Sequence, residues 1–416
     1  MAVAPVSFAA DADALERVTR VLKKTPLIDG HNDLPFQYRR RVGNRLSRMD
    51  IADDLTRLER PTHTDIRRLR AGMMGGQFWS VYVPVQEYGG SPGDPASVLM
   101  QMDLVKRLAA RYPKDLEMAY TAADVRRIHK AGRIASMMGI EGGHAIDNSL
   151  AVLRMMYAAG ARYMTLTHGK SLAWADSATD VPRHGGLTEF GKEVVREMNR
   201  LGMLVDLSHV STESMHDALD VTEAPVIFSH SSAKALVAHP RNVPDDVLLR
   251  VKENRGVVMV TFFYSYVSEP VRQHQVAEAV ERARLKAVYP YEPTLAEAEL
   301  AKWQEANPAP RATLAEVADH IDHVRRVAGI EHIGIGGDYD GMPPGPLGLE
   351  DVSTYPALFV ELIQRGCSDS DIAAIAGNNV LRVMAEAEQV ARRLQKERAP
   401  SDVLIEDLDT EAVAAN

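Results

Sequence analysis

Along the chain, short apolar runs bounded by turn-forming residues alternate with stretches of helical periodicity. Eight runs stand out: Pro26–Asp29, Gln77–Val83, Ile134–Ile140, Tyr163–Thr167, Met203–Leu207, Pro225–Ser229, Gly256–Phe263 and His332–Gly336. Between them, Asp94–Arg111 carries an apolar stripe through Val98, Met102, Val105 and Leu108. Leu150–Ala159, Thr188–Leu201, Thr212–Leu219, Asp245–Val251 and Arg311–Ala328 read as further helices. Pro356–Arg365 and the capped Ser370–Ala376 follow the last run. Strand alternating with helix predicts a parallel sheet, because parallel neighbours need a crossover that is usually helical. Eight such units predict an α/β fold, a (β/α)8 TIM-like barrel with inserted loops and a C-terminal helical extension. An open doubly wound sheet is the competitor. It normally has fewer strands and an early phosphate-binding glycine turn, and no GxGxxG or GxxxxGK[ST] occurs here.

Three segments depart from the alternation. Arg39–Arg70, rich in Arg and Asp, reads as a long excursion after the first strand. Tyr264–Pro310, with its YPYEP and NPAP turns, reads as a helical cap inserted at 264–310. Ala399–Asn416 has five acidic residues and no Lys or Arg, and is expected to be a solvated, mobile tail. Residues 1–398 are accordingly expected to form a single barrel domain and 399–416 an acidic appendage.

Composition narrows the function. The 416 residues carry 48 Lys+Arg against 57 Asp+Glu, a net charge of −9, so the broad basic field that nucleic acid requires is missing. No stretch approaches the length of a membrane-spanning apolar helix, and no membrane association is expected. The lone cysteine, Cys367, excludes both an intramolecular disulfide framework and a multi-thiolate metal site. Met1–Asp13 has neither a basic n-region nor a sustained apolar h-region. A cytoplasmic location is the simplest expectation, and a periplasmic one is compatible with the same features.

The residues able to do chemistry fall in one register. The first run ends in Asp29-Gly30-His31-Asn32-Asp33 and the third in Glu141-Gly142-Gly143-His144. The fourth ends at His168, the fifth at His209, the sixth at His230, and the eighth in Gly337-Asp338-Tyr339-Asp340. In a barrel these ends converge on the face where active sites are built. Histidine and carboxylate together suit Zn²⁺ and similar divalent ions. In extended chain, residues i and i+2 point the same way, so His31 and Asp33 can grip one ion from one side. Two of the remaining histidines can grip a second, with Glu141 between them. Two metals about 3.5–4 Å apart hold a shared hydroxide and polarise a carbonyl or phosphoryl oxygen, which is hydrolytic chemistry. Each residue also has a plainer reading. A single strand-end histidine is usually a hydrogen-bonded structural residue, Glu141 can cap the next helix, and Asp338 can close a turn with Gly341. The joint occurrence on six strand ends favours the metal site. Lys170, two residues past His168, is a weak candidate for a carboxylated bridge; His144 is ambiguous; the Met pairs read as core filler.

These residues lie in stretches that resemble the membrane dipeptidase (renal dipeptidase) family of zinc metallopeptidases. The matching stretches are IDGHNDLP, QFWSVYVP, GIEGGHAID, YMTLTHGKSLAWADS, GMLVDLSHVS, PVIFSHSSA, HPRNVPDD and IGIGGDYDG, in family order from about residue 25 to 385. The resemblance implies a two-zinc barrel enzyme that hydrolyses dipeptides by attack of a metal-bridging hydroxide. His31 and Asp33 would bind the first zinc, His209 and His230 the second, and Glu141 would bridge. His168 would stabilise the oxyanion, and Asp338 would pass a proton from the water to the leaving amine. Arg241 would pair with the free C-terminal carboxylate of the dipeptide substrate, and Tyr264 would line the pocket. Tolerance of a D-residue at the C-terminal position and a homodimer are carried from the family in the same way. The single cysteine departs from the secreted, disulfide-bonded, lipid-anchored animal members, and the chain looks like a soluble bacterial relative. Hydrolysis of another amide, a lactone or a phosphoester on the same site is the alternative.

Overall fold

A computed structural model describes residues 8–85 and 94–409. Nine parallel strands form one sheet: β1 (Leu27–Asn32), β2 (Met74–Tyr82), β3 (Leu116–Met118), β4 (Ile134–Glu141), β5 (Ala161–Thr165), β6 (Leu204–Asp206), β7 (Ile227–Phe228), β8 (Val257–Val260) and β9 (Ile333–Ile335). Their order is β2-β1-β9-β8-β7-β6-β5-β4-β3, and β2 also pairs with β4 from Gly76↔Ala135 to Tyr82↔Glu141. That pairing closes eight strands into a (β/α)8 barrel. Every predicted run overlaps one of the eight. The ninth, β3, was not foreseen. It pairs only with the start of β4, Leu116↔Ile134 to Met118↔Ser136, on the edge that β5 takes over from Met138.

Alternation along the strands sorts their side chains into two cores. Ile28, Phe78, Met137, Tyr163, Leu204, Ile227, Val257 and Met259 form one cluster, joined by Val380, Leu381 and Met384 of the helix Asn379–Glu397. Leu27, Trp79, Met138, Met164, Val205, Phe228 and Val258 belong to the other, which packs against the surrounding helices. Gly139 shows how tightly the first cluster is filled. A Cβ there would lie 1.9 Å from the Tyr163 ring, so only glycine lets that tyrosine cross the barrel. Continuing the same period outward brings Ser80, Tyr82, Glu141, Thr165 and Asp206 to the C-terminal rim, and His31 joins them where the register of β1 shifts between Asp29 and Asn32.

The intervening helices start where their caps require. The Thr121 and Thr313 side chains close capping boxes with Asp124 and Glu316, and Ser211 and Thr188 accept from the amides of Ser214 and Gly191. The excursion after β1 holds the helices Leu34–Val42 and Ile66–Ala71. The segment read as a cap contains Glu269–Val288 and Pro293–Ala306, which bury only Val271, Leu285 and Leu300. The segment expected to be a mobile tail is docked as far as it is described. Ile405 is buried, Arg154 donates to the Ser401 carbonyl at 2.7 Å, and Asp409 Oδ2 accepts from the Phe190 amide at 3.2 Å. Its acidic composition did not reveal that the helix start at Thr188 offers it donors. Residues 410–416 lie outside the described part. Among the described residues, no helix is long and apolar enough to cross a membrane.

Candidate metal and substrate site

Glu141, the last residue of β4, stands at the centre of the rim. Its Oε2 faces His31 Nε2 at 3.5 Å and accepts from Ser80 Oγ at 3.1 Å. Its Oε1 faces His209 Nε2 at 3.1 Å, His230 Nε2 at 3.5 Å and His168 Nε2 at 3.6 Å. The two oxygens of one buried carboxylate therefore serve two different histidine sets. Asp33 Oδ2 lies 3.4 Å from His31 Nε2. The donors fall into three overlapping groups, each within 4.8 Å: His31–Glu141–His230, Glu141–His168–His209 and His31–Asp33–Asp338.

Local backbone puts these groups in place. His209, Asp338 and Asp340 adopt left-handed φ of 70°, 62° and 66°, conformations that non-glycine residues hold only when the surroundings enforce them. At Asp338 the enforcement is visible: its amide donates to the His31 carbonyl at 3.2 Å, and the Asp33 amide donates to Tyr339 O at 2.8 Å. The ends of β9 and β1 are thus stitched together. His31 Nδ1 meets Tyr163 Oη at 2.9 Å, and Tyr163 Oη–H donates to the Gly30 carbonyl at 3.1 Å. A phenol has one proton, so the ring donates from Nδ1 and turns its Nε2 toward Asp33 and Glu141, and against the effect of burial Tyr163 and these carboxylates raise the imidazole well above its ordinary value.

Electrostatics follow from this crowding. Burial pushes Glu141 up, but His31, His168, His209 and His230 around it outweigh burial and hold the carboxyl well below its usual range. Burial raises Asp338 well above its usual value; Asp33 and Glu141 add to the rise against the pull of His31 and Arg241. Burial lowers His209 and His230 far below 6.5, and lowers His168 as well, which keeps these rings neutral.

The donors suit a divalent metal by chemistry, nitrogen and oxygen without thiolate. They also suit it by need. His31 Nε2 and Asp33 Oδ1 are buried with no hydrogen-bond partner, a costly state that a cation removes. Beside them a cleft of about 340 Å³ opens, lined by Asp33, Glu141, His168, His209, His230, Arg241 and Asp338 and walled by Phe36, Tyr82, Phe263 and Tyr266. Arg241 is fully buried at this cleft. Its Nη1 donates to Ser231 Oγ at 3.2 Å and its Nη2 to the His230 carbonyl at 3.1 Å, while Nε has no partner. Its guanidinium lies over the Tyr266 ring at 5.4 Å.

Of the nine residues singled out in the sequence, seven line this cleft, and His31 lies against them in the donor groups. Tyr264 does not. It lines a separate groove with Gln275, Glu278 and Arg282 of the cap. The chain turns helical at Tyr264–Val267, so Tyr264 and Tyr266, two residues apart, project to roughly opposite sides, and Tyr266 takes the cleft. Phe36, Tyr82, Thr179, Phe263, Tyr266 and Gly341 also line the cleft and were not singled out. For Tyr82 a signal was present, since it continues the inward period of Phe78 and Ser80. Lys170 pairs with Asp180 at 3.1 Å, away from the donors. His144 Nε2 bonds the Val83 carbonyl at 2.7 Å and belongs to none of the donor groups.

Nitrogen and oxygen donors gathered at the C-terminal rim of a parallel barrel are the setting of metal-assisted hydrolysis, and a metal-dependent hydrolase is the class this places the protein in. The family model for membrane dipeptidase (peptidase family M19) matches residues 15–398. The chain therefore belongs to that family of metallopeptidases and is an M19 dipeptidase. Among solved structures, the probable dipeptidase PvdM from Pseudomonas aeruginosa is similar with a TM-score of 0.77 at 23% identity, over 91% of this chain and 100% of that one. A metallo peptidase from Rhodobacter sphaeroides, liganded with a phosphinate mimic of the dipeptide L-Ala-D-Ala, gives 0.69 at 23% over 88% and 99%. An amidohydrolase from P. aeruginosa gives 0.66 at 19% over 89% and 98%. At these identities the likeness carries the fold.

Proposed function

We propose that the protein is a dinuclear zinc dipeptidase acting on dipeptides with a free C-terminal carboxylate, a D-residue at that position included. The carrying observation is Glu141, whose two oxygens face His31 on one side and His209 and His230 on the other. In this reading His31 and Asp33 would hold one ion, His209 and His230 the other, and Glu141 would be shared between them. Bound zinc supplies an activated water and a polarised carbonyl.

The chain's own residues do the rest. Arg241, fixed by Ser231 and the His230 carbonyl, presents its guanidinium to the substrate carboxylate. A single immobile cation measures one residue from the scissile bond to the terminus, which limits the substrate to a dipeptide. His168, kept neutral by burial, offers an N–H to the oxygen that gains charge during attack. Asp338, with its proton affinity raised by burial and two neighbouring carboxylates, accepts the water's proton and returns it to the leaving amine. Phe36, Tyr82, Phe263 and Tyr266 exclude water around the scissile bond. The D-Ala-containing mimic on the R. sphaeroides relative supports a C-terminal D-residue.

The test is hydrolysis of an L-L and L-D dipeptide panel with bound metal quantified in the same sample. Turnover with about two metals per chain is expected, and Asp338→Asn should reduce turnover at least ~1,000-fold while metal content stays near wild type. A fully metallated protein inert on every dipeptide, or an active Asp338→Asn, would refute the assignment.

A further inference from the structure

Behind His230 lies a buried carboxylate that the proposed chemistry does not use. Asp206 ends β6 and is fully buried. Its Oδ1 accepts from the Ser208 amide at 3.1 Å and the Ser229 amide at 2.8 Å. Its Oδ2 accepts from Thr165 Oγ1 at 2.5 Å and Ser229 Oγ at 2.6 Å. Ser229 Oγ in turn lies 2.7 Å from His230 Nδ1. These groups occupy one layer of the barrel: Thr165 is the register partner of Asp206 across β5 and β6, and Asp206 that of Ile227 across β6 and β7.

We propose that Asp206, acting through Ser229, is a positioning residue that locks His230 in the Nδ1–H tautomer and so presents the Nε2 lone pair to the metal donor cluster. The proton count carries it. A carboxylate only accepts, and a hydroxyl has a single proton. Ser229 commits that proton to Asp206, so its oxygen can only accept from His230. The ring must then donate from Nδ1, which leaves Nε2 bare, 3.5 Å from Glu141 Oε1 and 2.9 Å from His209 Nε2. Outer partners of this kind fix ligand tautomer and orientation at metal sites. His209 has no such partner, since its Nδ1 is buried and unpaired. Orientation from behind is therefore invested in His230. The proposal rests on the reading of His230 as a metal ligand.

Asp206→Asn tests it with almost no change of shape. The amide oxygen keeps the two backbone donors, while Nδ2 becomes a donor toward Ser229 and Thr165. Ser229 is then free to direct its proton at His230 Nδ1, and the ring shifts its own proton to Nε2, the metal-facing atom. Ser229→Ala cuts the chain without reversing it. Zinc retention against a competing chelator should weaken about 10–100-fold in Asp206→Asn, and less in Ser229→Ala. In metal-free protein labelled with ¹⁵N-histidine, His230 should show a protonated Nδ1 in wild type and a protonated Nε2 in Asp206→Asn. Wild type retaining two zinc ions while Asp206→Asn retains them equally well would overturn the proposal. So would an Nε2–H tautomer of His230 in wild type, which decides the matter even if Asp206→Asn does not fold. Wild type binding no metal would instead defeat the dinuclear reading, and the tautomer result would still judge Asp206 separately.

Discussion

Gly341 sits where the two carboxylates of the cleft converge. A Cβ at this position would lie 2.1 Å from Asp33 Oδ2, 2.6 Å from Asp338 Oδ1 and 3.1 Å from Asp33 Cγ. Ordinary non-bonded separation is about 3.5 Å, so Gly341→Ala forces both oxygens to move by about 1 Å. The backbone of Gly341 is not left-handed, and alanine itself is tolerated there. The groups that must yield are the free ends of side chains, so the fold absorbs the change and the unfolding midpoint should move by no more than a few degrees, under about 1 kcal/mol. Chemistry does not absorb it. Asp33 Oδ2 is drawn off its 3.4 Å approach to His31 Nε2, and Asp338 leaves the position from which it handles the proton. A misplacement of about 1 Å costs about 100-fold in rate, or roughly 2.7 kcal/mol of transition-state stabilisation. The assay is kcat/KM on L-Ala-D-Ala, with metal content and thermal unfolding on the same preparation. Gly341→Ala with kcat/KM within threefold of wild type and full metal content would show that neither carboxylate needs its observed position.

Two further predictions concern Arg241 at the cleft and His320, a buried histidine outside it. Arg241→Lys keeps the charge but loses the planar fork, and should lower kcat/KM on free dipeptides about 10–100-fold, mainly through KM, with little loss on dipeptide amides; equal losses on acid and amide would remove Arg241 from carboxylate recognition. His320 is buried, its Nδ1 accepting from the Ala233 amide at 3.0 Å and its Nε2 donating to Val267 O at 3.2 Å, and burial holds its pKa at about 4. The unfolded chain, with a value near about 6.5, binds the proton first, so stability is full above that value and is lost as pH falls from about 6.5 to about 4. The loss reaches about 2 kcal/mol by pH 5. Urea unfolding of wild type and His320→Gln at pH 7 and pH 5 should show this pH-dependent loss shrinking in the variant, and an unchanged difference would contradict it.

Much of this architecture was legible because of how parallel barrels are built. Their strands are buried on both faces and read as near-continuous apolar runs, which is why Gln77–Val83 and Ile134–Ile140 announced β2 and β4. The site was legible for a related reason. Residues ending such strands must reach the same rim, so His31, Glu141, His168, His209, His230 and Asp338 could be grouped before any distance was known. β3 escaped notice because three residues, Leu116–Met118, half-buried beyond the first, are too few to establish a period. Tyr264 was misplaced because two tyrosines in one helical turn differ only in direction, which the packing of Phe263 and Tyr266 at the cleft decides.

Sequence alone determined the order of the eight barrel strands, the alternation of faces along their regular parts, and the kinds of donor available. These are local properties, set by periods of 2 and 3.6 residues and by side-chain chemistry. Tertiary structure decided which donors share an oxygen of Glu141, which hydroxyl fixes which imidazole, why position 341 carries no side chain, and that the described part of the acidic tail is docked. Each depends on contacts between segments far apart in the chain, as where β1 pairs with β9 at Asp29↔Ile335. Separations of a few ångströms between strands remote in sequence leave no trace in the local pattern of either.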